Sequence, residues 1–376
     1  MDLDGFAKSP LRESETSPYN QSSMTVTVRS FAKINLGLRI GAARTDGFHE
    51  LLTVYQTIGL HDVIRVGVGR GTGIEIRCKD PRVPLDESNT CFRIVEKAMR
   101  ALRANGRVVI DIEKRLPVQG GLGGASANAV ATLLGLEGAL KKSLSAAERL
   151  RIAAEVGSDL PLFLVGGTVL GVGRGEQVYP LEDFPAMACV VVTPEVGVST
   201  PRAFVEWDRL YARGLKPGSS GRVDAAPSTS SGQALKGRSS TKPGSELTVS
   251  VGSDRMSELG RGLSAWLSER YSSAPSHFAR GGRAENPLLW LVRAGIENDF
   301  ERVVFPEYPE LSDGKSALLR AGAKYASLSG SGSTLYGLFG SRGAAARAAV
   351  KLRRQGWTAQ ATVTLTRAAY WRRVIS

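Results

Sequence analysis

Leu116 to Gly124 reads LPVQGGLGG and runs directly into ASANAVATLLGLEGAL, so a glycine-crowded turn feeds an apolar helix. Gly120, Gly121, Gly123 and Gly124 strip side chains from the turn and leave backbone N–H groups bare beside a helix N-terminus. Such an end carries unsatisfied donors and the positive pole of the helix dipole, which suits a phosphate. The bland alternative is a tight strand-to-helix turn that binds nothing, because a short glycine cluster is a weak signal. The wording is neither GxxxxGK[ST] nor GxGxxG, since no Lys-Ser/Thr follows and the lead-in is Leu-Pro. Val130, Leu133, Leu134 and Leu140 recur at helical spacing and predict one buried stripe on the helix.

Two further places carry groups that could do chemistry. Ser30 to Ile40 alternates sharply, with Ile34, Leu36, Leu38 and Ile40 on one face and Lys33, Asn35 and Gly37 on the other. Lys33 and Asn35 thus project together from a strand whose opposite face is core; taken alone, theirs is a solvated strand face. Asp159 stands before Leu160-Pro161 and an apolar run, which is the place of an N-cap with a proline in the first turn. Upstream, Ser145 and Glu148 form a capping box for a helix that runs through Val156 and ends at Gly157.

Taken in order, these stretches resemble the GHMP kinases. Pro117, Gly121-Leu122-Gly123 and Ser126 are similar to the P-x-x-x-G-L-G-S-S phosphate loop of that family. The fuller LPVQGGLGGASANA, the opening AKINLGL with RTDGFHELLTVYQ, and GSDLPLF resemble the branch of 4-diphosphocytidyl-2-C-methyl-D-erythritol kinases. The resemblance implies ATP-dependent phosphorylation of the 2-hydroxyl of a cytidine diphosphate-linked small molecule, with ATP as co-substrate and Mg²⁺. It makes Lys33 and Asp159 catalytic, with Asp159 either a base or only an orienter of the hydroxyl. Asn35 lies beside Lys33, Phe48 and His49 stack on and hydrogen-bond the cytosine, and Thr200 and Phe204 close over it from the other side. Around ATP it places Lys114, Pro117, Val118, Gln119, Gly120, Gly121, Leu122, Gly123, Gly124, Ala125 and Ser126, with Ser126 also near the Mg²⁺. Ser329, Gly330, Ser331 and Gly332 are the matching second glycine loop, packed near the phosphates. Lys114 reads equally well as a solvated strand-end charge, and GSGS as a hairpin turn. This chain departs from the pattern at Phe48, where tyrosine is usual, at Ala125, where glycine is usual, and at Ala127, where a second serine is usual. Phenylalanine keeps the stacking but lacks a phenolic hydrogen bond. Alanine would be strained at a positive φ and favourable inside the first helical turn.

The elements that must position these groups follow a mixed pattern. Strands such as IEIRC and VVIDIEK flank a helix from about Asn89 to Ala104, and TVLGVGRGEQVYPL and ACVVVTP are strands that lead into GVSTPRAF. A helix opens at the Asn298-Asp299-Phe300-Glu301 match, a strand, glycine loop and strand span Tyr325 to Gly337, and a helix near Ala344 to Arg354 precedes a strand over Thr358 to Thr366. The expected fold is α+β, a two-domain GHMP kinase. Its N-terminal nucleotide domain, ribosomal S5 domain 2-like, covers 24–175 and its C-terminal ferredoxin-like domain covers 176–376. Residues 1–23 are polar and aperiodic and are expected to be a disordered extension. Residues 211–283 are rich in Ser, Gly and Pro and too poor in apolar surface to offset their chain entropy, so a disordered insertion is expected there, with a short helix around Met256 to Tyr271.

Composition bounds the rest. With 376 residues, 42% hydrophobic and 23% charged, the chain has room for two buried cores. No apolar run reaches the roughly 18 residues that span a bilayer, and Asp2, Asp4, Glu13 and Glu15 argue against an organellar presequence. Cys78, Cys91 and Cys189 are far apart, which fits buried thiols in a reducing cytoplasm better than a zinc site or a disulfide framework. The net charge of +13 has a definite address: residues 341–376 hold eight Lys/Arg and no acid, and residues 209–250 hold seven against two. The motif-bearing core is therefore neutral overall, and no nucleic-acid motif accompanies the charge. The expected partners are the small-molecule acceptor and ATP, with neither membrane nor nucleic acid; the oligomeric state is not readable. Two alternatives remain: another GHMP small-molecule kinase, against which Phe48-His49 speaks, and a basic polyanion-binding protein on an inactive kinase fold, against which Lys33 and Asp159 speak.

Overall fold

The computed structural model describes residues 24–212 and 296–375. The expected extension over 1–23, and the insertion over 211–283 beyond its first two residues, with the helix near 256–271, lie outside the described residues.

The chain opens with a long hairpin. β1 (Thr25–Ala43) and β2 (His49–Gly69) pair antiparallel from Thr25↔Gly67 to Ala43↔His49, with register shifts at Phe31/Lys33, Asn35/Gly37 and Ile40/Ala43. The alternation seen over 30–40 is thus the middle of a longer strand, and its second face is not solvated: Lys33 and Asn35 are both buried. β2 carries β1 on one side and two strands on the other. β4 (Arg107–Glu113) lies along its C-terminal half and β5 (Thr168–Gly173) along its N-terminal half. β3 (Ile74–Cys78) and β6 (Gln177–Pro180) complete a six-stranded sheet in the order β3-β4-β2-β5-β6.

Helices α1 (Thr90–Ala101), α2 (Gly124–Leu140), α3 (Ala146–Val156) and α4 (Leu160–Val165) belong to this layer. Asn89 caps α1 by accepting from Cys91 N, and Ser145 caps α3 by accepting from Glu148 N, which is one half of the expected capping box; the Glu148 carboxylate pairs with Arg151 instead of returning to the Ser145 amide. α2 corrects the expectation of a single stripe. Every residue from Ala127 to Glu137 is buried, because the helix is sandwiched between the β1–β2 hairpin and α1. Its alanines and glycines allow this close approach. A side chain at Gly135 would stand 2.8 Å from Val66 Cγ2, so the spacing of the large residues marked only the bulkiest part of a helix buried all round.

The chain leaves the first sheet after Pro180 and enters a second at β7 (Ala188–Val192). There follow α5 (Thr200–Ala212), α6 (Glu301–Glu307), α7 (Pro309–Arg320), β8 (Tyr325–Leu328), β9 (Leu335–Phe339), α8 (Arg342–Arg354) and β10 (Ala359–Val363). Its four strands are antiparallel in the order β10-β7-β9-β8, the arrangement of a ferredoxin-like sheet. The whole is an α+β fold.

A shared core of Ile34, Leu36, Ile58, Leu122, Cys189 and Tyr336 fastens the two sheets. The buried Tyr336 hydroxyl donates to Asn35 O at 2.8 Å, within the strand that carries Lys33. A last helix, α9 (Arg367–Val374), has no counterpart in the sequence-based expectation. It returns to the first layer, where Tyr370 donates to Phe163 O at 2.7 Å and Ile375 bridges to Val28. No helix among the described residues is long and apolar enough to cross a membrane.

Candidate active site

The glycine turn expected from the sequence forms a compact loop. Gln119, Gly121 and Gly123 take left-handed backbone angles, with φ of 60°, 76° and 69°. Gly123 caps α2 without any side-chain hydrogen bond, so the first N–H groups of the helix face open space. Ala125 lies one residue inside that helix, where alanine is favourable, and the substitution costs the loop nothing in backbone strain.

Close contact fixes the loop on both sides. Lys33 N donates to Leu122 O at 3.0 Å, which docks the loop onto β1 at the catalytic candidate itself. On the other side Ser329 Oγ donates to Gly121 O at 3.0 Å, and Thr334 N to Gly120 O at 3.2 Å. A side chain at Gly121 would stand 2.1 Å from Ser329 O, so only glycine fits. The second glycine loop is therefore more than a hairpin turn; it is the opposite wall of the first. Asn298 braces it by donating to Leu328 O and Gly330 O at 2.9 and 2.7 Å, and Glu301 accepts from Ser327 Oγ and Leu328 N. The Asn-Asp-Phe-Glu match is thus a structural clamp, with Asp299 turned to the buried Arg39 at 3.1 Å.

Between the loops and the hairpin opens a cleft of about 600 Å³. Lys33 sits at its floor, with its side chain only 4% exposed. Its Nζ donates to Asn35 Oδ1 at 2.7 Å and lies 3.5 Å from Asp159 Oδ2. Asp159 occupies the N-cap position of α4 yet makes no capping hydrogen bond, so the carboxylate is turned into the cleft instead of onto the helix. Its other oxygen accepts from Tyr55 Oη at 3.0 Å. Burial pushes the Tyr55 phenol well above its usual range, and the Asp159 charge pushes the same way, so Tyr55 acts there as a donor only. The Tyr55 ring also lies beneath the Lys33 ammonium, 5.5 Å from its centroid.

At one end of the cleft the turn Arg44–Phe48, closed by Arg44 N donating to Phe48 O at 2.7 Å, delivers Phe48 and His49. Phe48 is 50% exposed and carries Arg174 over its ring at 5.0 Å. His49 is buried and stacks flat on Phe204 of α5, with centroids 4.8 Å apart and planes at 10°. Thr200, at the start of the same helix, shares a hydrogen bond of 2.7 Å with Ser331. At the other end Lys114 is neither solvated nor free. Its Nζ donates to the fully buried Asp62 at 2.7 Å, and the same carboxylate accepts from Arg115 N and Leu116 N at 2.7 Å each. One buried acid therefore fixes both the lysine and the entry to the glycine loop.

Of the sequence-predicted site residues, the cleft is lined by Lys33, Asn35, Phe48, His49, Lys114, Pro117, Val118, Gln119, Gly120, Gly121, Gly123, Gly124, Ala125, Ser126, Asp159, Thr200, Phe204, Gly330 and Ser331. Leu122, Ser329 and Gly332 are not in its wall: Leu122 is core, and the other two shape the second loop from behind. Sequence reasoning missed Tyr55, Asn128, Ser158 and Arg174, and a wall of Arg82, Val83, Pro84, Ser88, Asn89 and Thr90 beside the glycine loop. The Pro- and Ser-containing stretch before α1 was the sole local signal for that wall. Lys33, Arg82, Lys114 and Arg174 line the cleft, each paired with a carboxylate, Asp159, Asp80, Asp62 and Glu176 in turn, so the wall offers positioned cationic donors without a large net charge. Among the described residues no cluster of three His, Cys, Asp or Glu could hold a metal ion.

Comparison with known proteins agrees with this geometry. Residues 89–167 match the family pattern described as "GHMP kinases N terminal domain", and residues 288–357 that of "GHMP kinases C terminal". The chain is 33% identical over 351 residues to a 4-diphosphocytidyl-2-C-methyl-D-erythritol kinase from Solibacter usitatus, covering 93% of this chain and 92% of the relative. A protein of the same name from Acaryochloris marina is 31% identical over 327 residues, covering 87% and 91%. A crystal structure of 4-(cytidine 5'-diphospho)-2C-methyl-D-erythritol kinase superposes with a TM-score of 0.60 at 25% identity, over 90% of this chain and 98% of the other. This chain belongs to the GHMP kinase family, in the branch of the 4-diphosphocytidyl-2-C-methyl-D-erythritol kinases.

Proposed function

We propose that this chain transfers the γ-phosphoryl group of ATP to the 2-hydroxyl of 4-diphosphocytidyl-2-C-methyl-D-erythritol, giving the 2-phosphate and ADP. The observation that carries the reading is the Lys33–Asp159 pair, 3.5 Å apart, set where an uncapped helix N-terminus opens between two interlocked glycine loops. Phosphoryl transfer asks a protein chiefly for position and charge. The bare N–H groups of Gly124, Ala125 and Ser126 cradle the ATP phosphates, and the wall from Arg82 to Thr90 accommodates the nucleoside. Mg²⁺ enters with ATP as part of the substrate. A magnesium ion held by phosphate oxygens and water needs few protein ligands, and the Ser126 hydroxyl in the first turn of α2 would be one of them.

The acceptor enters from the His49 end, with its cytosine against the Phe48, His49 and Phe204 rings and its polyol reaching Asp159. Asp159 takes a hydrogen bond from the acceptor hydroxyl and the proton it sheds as the O–P bond forms. The Lys33 ammonium, fixed by Asn35 and by the Tyr55 ring, neutralises charge on the hydroxyl oxygen and on the transferring group. Tyr55 holds the Asp159 oxygen that faces away from Lys33, leaving one oxygen for the hydroxyl. A coupled ADP-release assay tests the assignment. Turnover is expected with the cytidine-linked polyol and not with homoserine, galactose or phosphomevalonate; equal turnover of any of these would refute it.

A further inference from the structure

Asp208 plays no part in the chemistry above, yet it touches His49, the ring among those assigned to the base that can hydrogen-bond it. It lies on α5 four residues after Phe204, so the two side chains leave the same face of the helix. Phe204 covers the flat of the His49 ring, and Asp208 Oδ1 sits 2.7 Å from its Nε2. A carboxylate can only accept at that distance, so Nε2 must carry a proton. In the neutral ring the single proton is then committed, and Nδ1 presents a lone pair. Among the described residues Nδ1 has no partner, although His49 is only 7% exposed and lines the cleft. Asp208 itself is 54% exposed and has His49 as its only charged or hydrogen-bonded partner among the described residues. An exposed acid with no other tie is not needed to hold the fold.

We propose that Asp208 is a specificity-determining positioning residue: it locks His49 as a hydrogen-bond acceptor toward the base, and so makes the site prefer cytosine to uracil. The proposal rests on the cytidine-linked acceptor assigned above. Cytosine offers a 4-amino donor to that lone pair, whereas uracil offers a 4-oxo acceptor that would face it unpaired. Without the carboxylate, either ring nitrogen can hold the proton, and His49 can donate to a uracil as readily as it accepts from a cytosine. Desolvated lone pairs facing each other are costly, so the lock discriminates mainly by rejecting the wrong base.

The test uses the full chain at about pH 8, above the ~6.5 of an ordinary imidazole. It compares kcat/KM for cytidine and uridine diphosphate-linked forms of the same polyol. The native chain is expected to favour the cytidine form. Asp208→Ala narrows the ratio by about ten-fold, a factor that one charge-assisted hydrogen bond can impose on a tautomer equilibrium. The KM for ATP and the kcat on the cytidine form stay as in the native chain. Asp208→Asn keeps the shape but can donate as well as accept, so it narrows the ratio too and separates proton placement from packing. An unchanged ratio in both variants, with the two KM values rising together, would make Asp208 a packing residue and overturn the proposal. Calorimetric Kd values for free CDP and UDP read the base preference without turnover. A native chain that binds both equally also overturns the proposal, whereas one that prefers CDP yet phosphorylates neither linked form overturns the assigned reaction instead.

Discussion

Asp159 is the residue on which the proposed chemistry turns, because its carboxylate makes no cap bond to its helix and faces Lys33 and Tyr55 instead. Asp159→Asn keeps the volume and removes the proposed base. Turnover is expected to fall at least ~10²-fold, the usual worth of a positioned acid-base group, with the KM for ATP little changed in steady-state assays. Tyr55→Phe is the subtler probe. It deletes only the 3.0 Å hydrogen bond to Asp159 and keeps the ring under Lys33. A loss of kcat on the order of ten-fold is expected, since a hydrogen bond to a charged group is worth ~1.5–3 kcal/mol; an unchanged kcat would show that Lys33, itself held by Asn35, fixes the carboxylate unaided. That Lys33, Asn35, Asp159 and the Phe48-His49 pair would share one cleft was legible because each stands in a short stretch with its own wording. Tyr55 was not, since LLTVYQTIGL reads as plain strand and the partner of its hydroxyl lies 104 positions away.

The elements hold the site through a few buried polar knots rather than through the glycines alone. Asp62, inside β2, is the firmest of them, binding Lys114 and the amides of Arg115 and Leu116 from a position with no solvent contact. Asp62→Ala leaves a buried ammonium and two amides without their acceptor, so a loss of about 3–5 kcal/mol is expected in urea unfolding. A weaker grip on ATP should accompany it, because the glycine loop starts at that knot. A midpoint within error of the native one would mean that water replaces the carboxylate at no cost. Helix ends were readable in advance where a side chain caps them, as at Asn89 and Ser145. The burial of α2 was not, because its alanines and glycines carry no periodic signal and the close packing they permit depends on Val26 and Val66 of the hairpin.

In the whole molecule two sheets meet at the cleft, and the last helix packs on the first layer away from the cleft wall. α9 clasps α4, the helix that Asp159 precedes, through Tyr370 and Phe163. Neither that return nor the joint core under Tyr336 could be read from the sequence, since both depend on contacts between segments far apart in the chain. The order of the second sheet, by contrast, came with the family resemblance. The closed packing has a simple solution signature. Cys91 and Cys189 are fully enclosed, and burial pushes each thiol up to about 12, while Cys78 is half-buried. Thiol titration of the native chain should therefore report Cys78 at an ordinary rate and the other two only after unfolding. Fast reaction of all three would mean that one of the cores opens readily.

A cleft that delivers the phosphoryl group to one hydroxyl of a cytidine-linked polyol leaves a signature in the phosphorus NMR spectrum of the product. Incubation with ATP, Mg²⁺ and 4-diphosphocytidyl-2-C-methyl-D-erythritol should yield ADP and one new phosphate monoester, coupled to the methyl-bearing carbon at position 2, with the diphosphate signals of the substrate intact. ADP and free phosphate without a new ester, or an ester at another hydroxyl, would contradict it.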